Sequence, residues 1–355
     1  MVPGLALLDE LVEQDTAPEH LVWFQSGRPV ELSVLSQLEQ RLGEGCTVER
    51  VTLELEPLGG GAPSPARTLR RLAPEVLRAR RALRQARSQV VVGLGGFTSA
   101  PAGLAARSLG IPLALLEINA APGRATRLLG PLAKEVWHAT RTTCPEGRPS
   151  SRHLVTGAPV SPRFARVEAP SRAARQALGL ATGDPVLAVL GGSQGAGGLN
   201  AFLRAIAPRL SAAGVQVVHQ VGPGRLDESA DDSRGYTAKE YIDDVPALLA
   251  AADLVLCRGG ASTLAEVGAV GVPSWVVPYP HHADQHQAHN ARALGDGTRV
   301  VPEDQLEATE GDLLRLLSAD GAAELARMRA HLGSQVPADA ARVQCQRLLR
   351  LAGLA

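Results

Sequence analysis

Four cysteines, Cys46, Cys144, Cys257 and Cys345, are all that 355 residues contain. None forms a Cys-x-x-Cys pair and none is near another. Neither a zinc site nor a disulfide framework is indicated, which suits a reducing cytosol. Net charge is also lacking: 36 Lys and Arg balance 36 Asp and Glu. A general nucleic-acid binder is therefore disfavoured. Lysine is nearly absent, with only Lys134 and Lys239, and arginine takes its place, as in a GC-rich genome. No apolar run reaches about 18 residues, so no transmembrane helix is expected. The first residues lack the basic and apolar regions of a signal peptide. What remains is 45% hydrophobic and 20% charged, enough to bury a large core. The length suggests roughly two domains.

Along the chain, "MVPGLALLDELVEQ" has helical spacing at Leu5, Leu8, Leu11 and Val12. The expectation from this is a chain that begins inside a βα unit, without its strand. "HLVWFQSG" reads as a strand and "GGGAPSPA" (59–66) as a loop. An Arg-rich amphipathic helix follows, kinked or divided at Pro74. From Gln89 the pattern is regular: strand "QVVVG", glycine turn "LGGFTSAP", helix, strand "IPLALLE". A boundary is expected near 160–163. A second series opens with "PVLAVLGGSQGAGGLNAFLRAIAPRL" and continues through "VQVVHQVGPG" to "DLVLCRGGASTLAEVGAVGVPSWVVP". Alternating strands and helices imply parallel, doubly wound sheets. The expectation is α/β with two Rossmann-like domains facing a central cleft: 1–160, 161–335, and a terminal helix over 336–355 packing back on the first.

Three glycine loops can carry chemistry. "LGGSQGAGGLN" (190–200) follows a strand and opens a helix, so its backbone N–H groups and the helix N-terminus favour an anion. Ser193 adds a hydroxyl. The plain reading is a tight turn capped by Ser193, and the missing Lys-Ser/Thr disfavours a P-loop. "GLGGFTSAP" (93–101) obeys the same logic, with Ser99 and Pro101 as a helix start. "RGGASTLAE" (258–266) is ambiguous. Thr263 and Glu266 have capping-box spacing, worth about 1 kcal/mol and sufficient without a ligand. Alternatively the amides of Ala261, Ser262 and Thr263 receive a phosphate while the two oxygens of Glu266 accept from vicinal ribose hydroxyls.

In "PHHADQHQAHNA" (280–291), Asp284 and Gln287 again fit a capping box. Gln287 and Asn290 share a helix face suited to sugar hydroxyls. His282, His286 and His289 have metal-like spacing, but no acidic base of the H-E-x-x-H kind accompanies them, so solvated histidines are the expectation. Residues 67–87 carry eight arginines over a stripe of Leu69, Leu72, Val76, Leu77 and Leu83. This is either a solvated face or a patch for anionic lipid head groups, each basic residue contributing about 1 kcal/mol.

The blocks "VVGLGGFTSAPAGLAARSLGIPLALLE", "LGGSQGAGGLN", "YIDDVPALLAAADLVLCRGGASTLAE" and "HHADQHQAHNA", in that order, resemble the MurG family of GT-B peptidoglycan glycosyltransferases. The resemblance covers nearly the whole chain. It implies transfer of N-acetylglucosamine from UDP-GlcNAc to the lipid-linked muramyl-pentapeptide lipid I, giving lipid II, with no cofactor. It places Ser193 and Gln194 near the donor diphosphate and pairs the Ile242 backbone with uracil. Ala261, Ser262 and Thr263 would meet the α-phosphate, Glu266 the ribose, and Gln287 and Asn290 the GlcNAc hydroxyls. Gly95, Gly96, Ser99, Glu117 and Asn119 would face the acceptor. The Arg-rich helix would lie near an anionic membrane, making the enzyme peripheral on the cytoplasmic face. Other cell-wall synthesis proteins are implied as partners.

Three departures qualify the resemblance. The family's opening strand, glycine loop and His precede the point where "MVPGLA" begins, which predicts a start codon placed too late. "LEIN" (116–119) stands where the family tends to show His-Glu-Gln-Asn. "GAPVSP" (157–162) stands where it favours Asn-Pro-Val-Arg. With that His absent, Glu117 is the substitute candidate for the catalytic base of an inverting transfer. The rival readings are another UDP-sugar GT-B transferase with a different acceptor, and a non-catalytic homologue that binds nucleotide sugar.

Overall fold

The structure is a computed structural model. It describes residues 1–28, 31, 35, 38–43, 45–54, 65–96, 98–192, 195–226, 235–281, 285–335, 337 and 339–354, with 65–69 and 334–335 described by backbone alone. The chain divides into two compact units, Met1–Pro162 with Asp339–Ala355, and Arg163–Ala338.

The first unit runs α1 (Val2–Glu13), β1 (His20–Gln25), α2 (Leu38–Leu42), β2 (Thr47–Thr52), α3 (Pro65–Gln85), β3 (Val91–Gly93), α4 (Ser99–Leu109), β4 (Leu113–Glu117), α5 (Arg124–Leu129), β5 (Glu135–His138) and β6 (His153–Val155). Strands β3-β4-β5-β6 form a parallel sheet, and β1 and β2 a separate parallel pair. A parallel strand is covered on both faces, so it reads as a continuous apolar run; "LALLE" of β4 is buried throughout. Helices α3, α4 and α5 cover one side. Ala79, Leu83, Ala105, Ala106 and Leu129 pack there with Leu113, Leu115 and Val136. Pro74 does not divide α3, which continues from Pro65 to Gln85.

The second unit runs α6 (Arg172–Ala177), β7 (Val186–Leu190), α7 (Gly197–Ala212), β8 (Gln216–Gln220), β9 (Tyr236–Lys239), α8 (Val245–Ala251), β10 (Leu254–Cys257), α9 (Ala261–Val270), β11 (Ser274–Val276), α10 (His286–Arg292), β12 (Thr298–Val300), α11 (Glu310–Leu316) and α12 (Ala322–Gln335). The last helix, α13 (Ala340–Ala352), belongs to the first unit. There Ala341 and Cys345 pack with Leu5, Leu7, Leu8 and Leu11 of α1.

Six parallel strands of the second unit stand in the order β12-β11-β10-β7-β8-β9. The order reverses between β7 and β10. Right-handed crossovers then send α7 and α9 to opposite faces. The two glycine loops that start these helices therefore diverge at the carboxyl ends of adjacent central strands, where open α/β sheets bind ligands. Leu199, Leu203, Ile206 and Leu210 of α7 seal one face against Leu187, Val189, Leu254 and Leu256. The strands are thus fixed, and the loops beyond them inherit their positions.

Candidate functional site

Strand β10 is buried at all four residues and ends in Arg258-Gly259-Gly260. Helix α9 starts at Ala261 with Gly260 as its N-cap, in extended conformation and with no side chain capping it. Thr263 is therefore the third helical residue and not the cap. The Thr263–Glu266 capping box expected from spacing does not form. The first-turn amides of Ala261, Ser262 and Thr263 have no acceptor within the helix. Glu266 stands about one turn further on, half-buried, with no hydrogen-bond or ion-pair partner among the described residues. Burial pushes its carboxyl up to about 7. An uncapped helix end beside an unpartnered, partly desolvated carboxylate is costly for the free protein. It is also a ready acceptor for hydroxyl donors.

The adjoining wall is α10. Its N-cap is Gln285, in the left-handed region, so the Asp284–Gln287 box does not start this helix; Asp284, like His282, lies outside the described residues. Gln287 Oε1 accepts from Gly259 N at 3.2 Å and from Tyr279 N at 2.9 Å. Buried Asn290 donates through Nδ2 to Gly259 O at 3.1 Å. The two amides thus clamp the N–H and the C=O of Gly259. Gly259 is glycine for a steric reason: a Cβ there would lie 2.7 Å from Gln287 C and 2.8 Å from Gln287 Cβ. Gly259→Ala is expected to push α10 from the loop and to weaken UDP binding at least tenfold by calorimetry, with the protein still folded. Unchanged affinity would show that the clamp does not shape the site.

Sequence reasoning missed three residues here. Gln220, last in β8, donates to Gly192 O at 3.2 Å and accepts from Ile242 N at 3.2 Å. It joins the first glycine loop to Ile242. Its signal was a buried polar residue closing the apolar run "VVHQ". Arg258 donates to Val277 O and Pro278 O at 3.1 and 3.3 Å, lies 5.8 Å from the Tyr279 ring centroid, and pairs with Glu303 at 2.5 Å. The Glu303 carboxylate in turn rests on Gly198 in the first turn of α7. Nothing local in sequence announced that pairing. The α7 N-cap is Ala196, without a side-chain bond; Ser193 and Gln194 lie outside the described residues. Among the described residues, no group of three or more potential metal ligands converges.

In the first unit, Gly95 and Gly96 both have left-handed φ, 83° and 76°, which only glycine adopts freely. Ser99 lies inside α4, whose N-cap is Thr98. Its buried hydroxyl donates to Gly95 O at 2.6 Å, so it fastens the turn where the sequence suggested a helix cap. Glu117 is buried at the end of β4. It accepts from Asn119 N at 3.2 Å, Asn119 Nδ2 at 3.3 Å, Gly123 N at 2.7 Å and Thr126 Oγ1 at 2.6 Å.

The chain is similar to known proteins over most of its length. Residues 1–138 match the glycosyltransferase family 28 N-terminal domain, and 186–335 the family 28 C-terminal domain. A UDP-N-acetylglucosamine–N-acetylmuramyl-(pentapeptide) pyrophosphoryl-undecaprenol N-acetylglucosamine transferase of Frankia casuarinae is 36% identical over 340 residues, covering 91% of this chain and 86% of that protein. Its counterpart from Sorangium cellulosum is 38% identical, covering 91% and 77%. Among solved structures, Acinetobacter baumannii MurG superposes with a TM-score of 0.71 at 24% identity, over 98% of this chain and 95% of that one. The calicheamicin glycosyltransferase CalG4 gives 0.63 at 18%, over 98% and 94%. At those identities the structures speak for the GT-B fold, and the sequence relatives speak for the family: the chain belongs to the MurG family of glycosyltransferase family 28.

Proposed function

We propose that this chain transfers N-acetylglucosamine from UDP-GlcNAc to the C4 hydroxyl of lipid I, forming lipid II and releasing UDP. The observation that carries the donor assignment is the start of α9, where first-turn amides without an acceptor in the helix stand near a Glu266 carboxylate that has no partner among the described residues. The amides of Ala261, Ser262 and Thr263 donate to the diphosphate, and Glu266 accepts from the two ribose hydroxyls. The Ile242 carbonyl faces uracil, and Gln287 Nε2 donates to a sugar hydroxyl. Ser193 and Gln194 are assigned to the diphosphate by the family resemblance. In the reaction the acceptor oxygen attacks the anomeric carbon as the bond to the β-phosphate oxygen breaks. The hydroxyl proton goes to a base, and helix amides meet the charge gathering on UDP.

The polyprenyl acceptor places the enzyme at a membrane surface. No helix among the described residues is long and apolar enough to cross one. Helix α3 exposes Arg70, Arg71, Arg81 and Arg84 around Leu77, itself 65% exposed, a composition suited to anionic head groups. The test is turnover: UDP-GlcNAc with a lipid I analogue should release UDP and give the disaccharide product. UDP-GlcNAc binding without transfer would mark a non-catalytic homologue, and transfer only to a different acceptor would mark another UDP-sugar transferase.

A further inference from the structure

Glu117 is the one carboxylate at the carboxyl end of β4, and its surroundings decide what it can do. A carboxylate has about four lone-pair positions. Here four donors occupy them, two on each oxygen: the amide and side chain of Asn119 on Oε1, and the Gly123 amide with the Thr126 hydroxyl on Oε2. The side chain is only 3% exposed. Gly123 is the N-cap of α5 and brings no side chain to it, so Glu117 holds the start of this helix from another element, through the Gly123 amide and the Thr126 hydroxyl. Charge-assisted bonds of this kind are among the strong ones. A general base must present a free lone pair to the proton it takes, and this carboxylate presents none.

We propose that Glu117 is a positioning residue: it ties Asn119 to the start of α5, fixes the connecting loop over 118–123 on the acceptor side, and does not take the acceptor's proton. The backbone carries the tie further. Glu117 O accepts from Ala139 N at 2.9 Å beyond β5. The Asn119 side chain is thereby held in one orientation before any acceptor arrives, and that preorganisation lowers the ordering cost of binding. Thr126 becomes its working partner, a buried hydroxyl at 2.6 Å whose removal loosens the latch without touching the carboxylate.

This inference rests on the assignment of the first unit to the acceptor, so the test has one arm that needs no acceptor. In Glu117→Gln, an amide nitrogen replaces an acceptor oxygen and confronts N–H or O–H donors. Amide hydrogen exchange at Asn119 and Gly123 should quicken on the order of tenfold. The Thr126→Val variant should quicken exchange at Gly123 less, and Thr126→Ser should behave as wild type. With UDP-GlcNAc and a lipid I analogue, Glu117→Gln and Thr126→Val should both raise the acceptor KM several-fold with a smaller loss in kcat, and leave UDP affinity unchanged. Thr126→Ser should restore the acceptor KM. The proposal is overturned if Glu117→Gln loses roughly 10²–10⁴ in kcat, the range for a lost general base, at unchanged acceptor KM and unchanged exchange. Wild-type protein that binds UDP but turns over no lipid I analogue would sink the acceptor assignment alone, while the exchange arm would still report on the latch.

Discussion

Replacing Glu266 with alanine is expected to lower affinity for UDP-GlcNAc by roughly 10²-fold while leaving the unfolding midpoint unchanged or higher. Both halves follow from the geometry. In the free protein the carboxylate has no described partner and pays for its burial, so its removal costs the fold nothing. In the proposed complex two ribose hydroxyls lose a charged acceptor. The pH dependence gives an independent check. Burial raises this carboxyl from 4.5 to about 7, so between those values the folded chain keeps a proton that the unfolded chain has released. That contribution to stability is full below about 4.5 and is lost as pH rises through 7. Ligand binding runs the other way. The ionised form accepts both hydroxyls, so UDP-GlcNAc affinity should rise with pH up to about 7 and then level off. The donor's diphosphate diester does not titrate there, which assigns the slope to the protein. In Glu266→Gln both slopes should vanish. A variant that unfolds early yet binds UDP-GlcNAc normally would return Glu266 to a purely helical role.

Much of this site was legible because its chemistry is carried by local order: strand, two glycines, helix, one carboxylate. Composition and alternation likewise announced two parallel α/β series, and the buried runs "LALLE", "VLAVL" and "LVLC" are strands. Strands β2, β9 and β12 carried little signal. They are edge strands, and sequences such as "TVERVT" and "YTAK" are only partly buried, so no apolar run marks them. Spacing also misled where two structures share one pattern. Thr263 and Glu266 sit three apart whether Thr263 is the N-cap or the third helical residue, and the turn geometry of Gly259-Gly260 settles it. Gln287 and Asn290 were assigned to a sugar, yet each spends part of its amide on Gly259, a contact 28 or 31 residues away in sequence. Glu117 stood as the substitute candidate for the base because the histidine that the resemblance implies is absent. Its four donors come from residues 119–126, and their convergence depends on how the loop folds.

Arg175→Ala should destabilise the second unit by about 3–5 kcal/mol, more than any other single change considered, because it removes one member of a buried charge network. The guanidinium is almost wholly enclosed. It donates to Ala251 O at 2.9 Å, Asp184 O at 3.1 Å, Thr182 O at 3.2 Å and Asp253 Oδ2 at 2.6 Å. Asp253 Oδ2 also accepts from Val186 N at 2.8 Å. One side chain of α6 thereby gathers the end of α8 and the entries to β7 and β10, the two strands whose far ends carry the glycine loops. Truncation strands three carbonyls and weakens the hold on Asp253. Arg175→Lys keeps the charge but reaches with a point donor where a planar fork is needed, so it should recover only part of the loss. Denaturant unfolding of both variants measures this, with UDP affinity read below the transition. The network lies at the amino ends of the strands, so the folded fraction of Arg175→Ala should bind UDP as wild type does. Weakened binding at full folding would mean that strand registration, and not stability alone, is what Arg175 secures for the donor site.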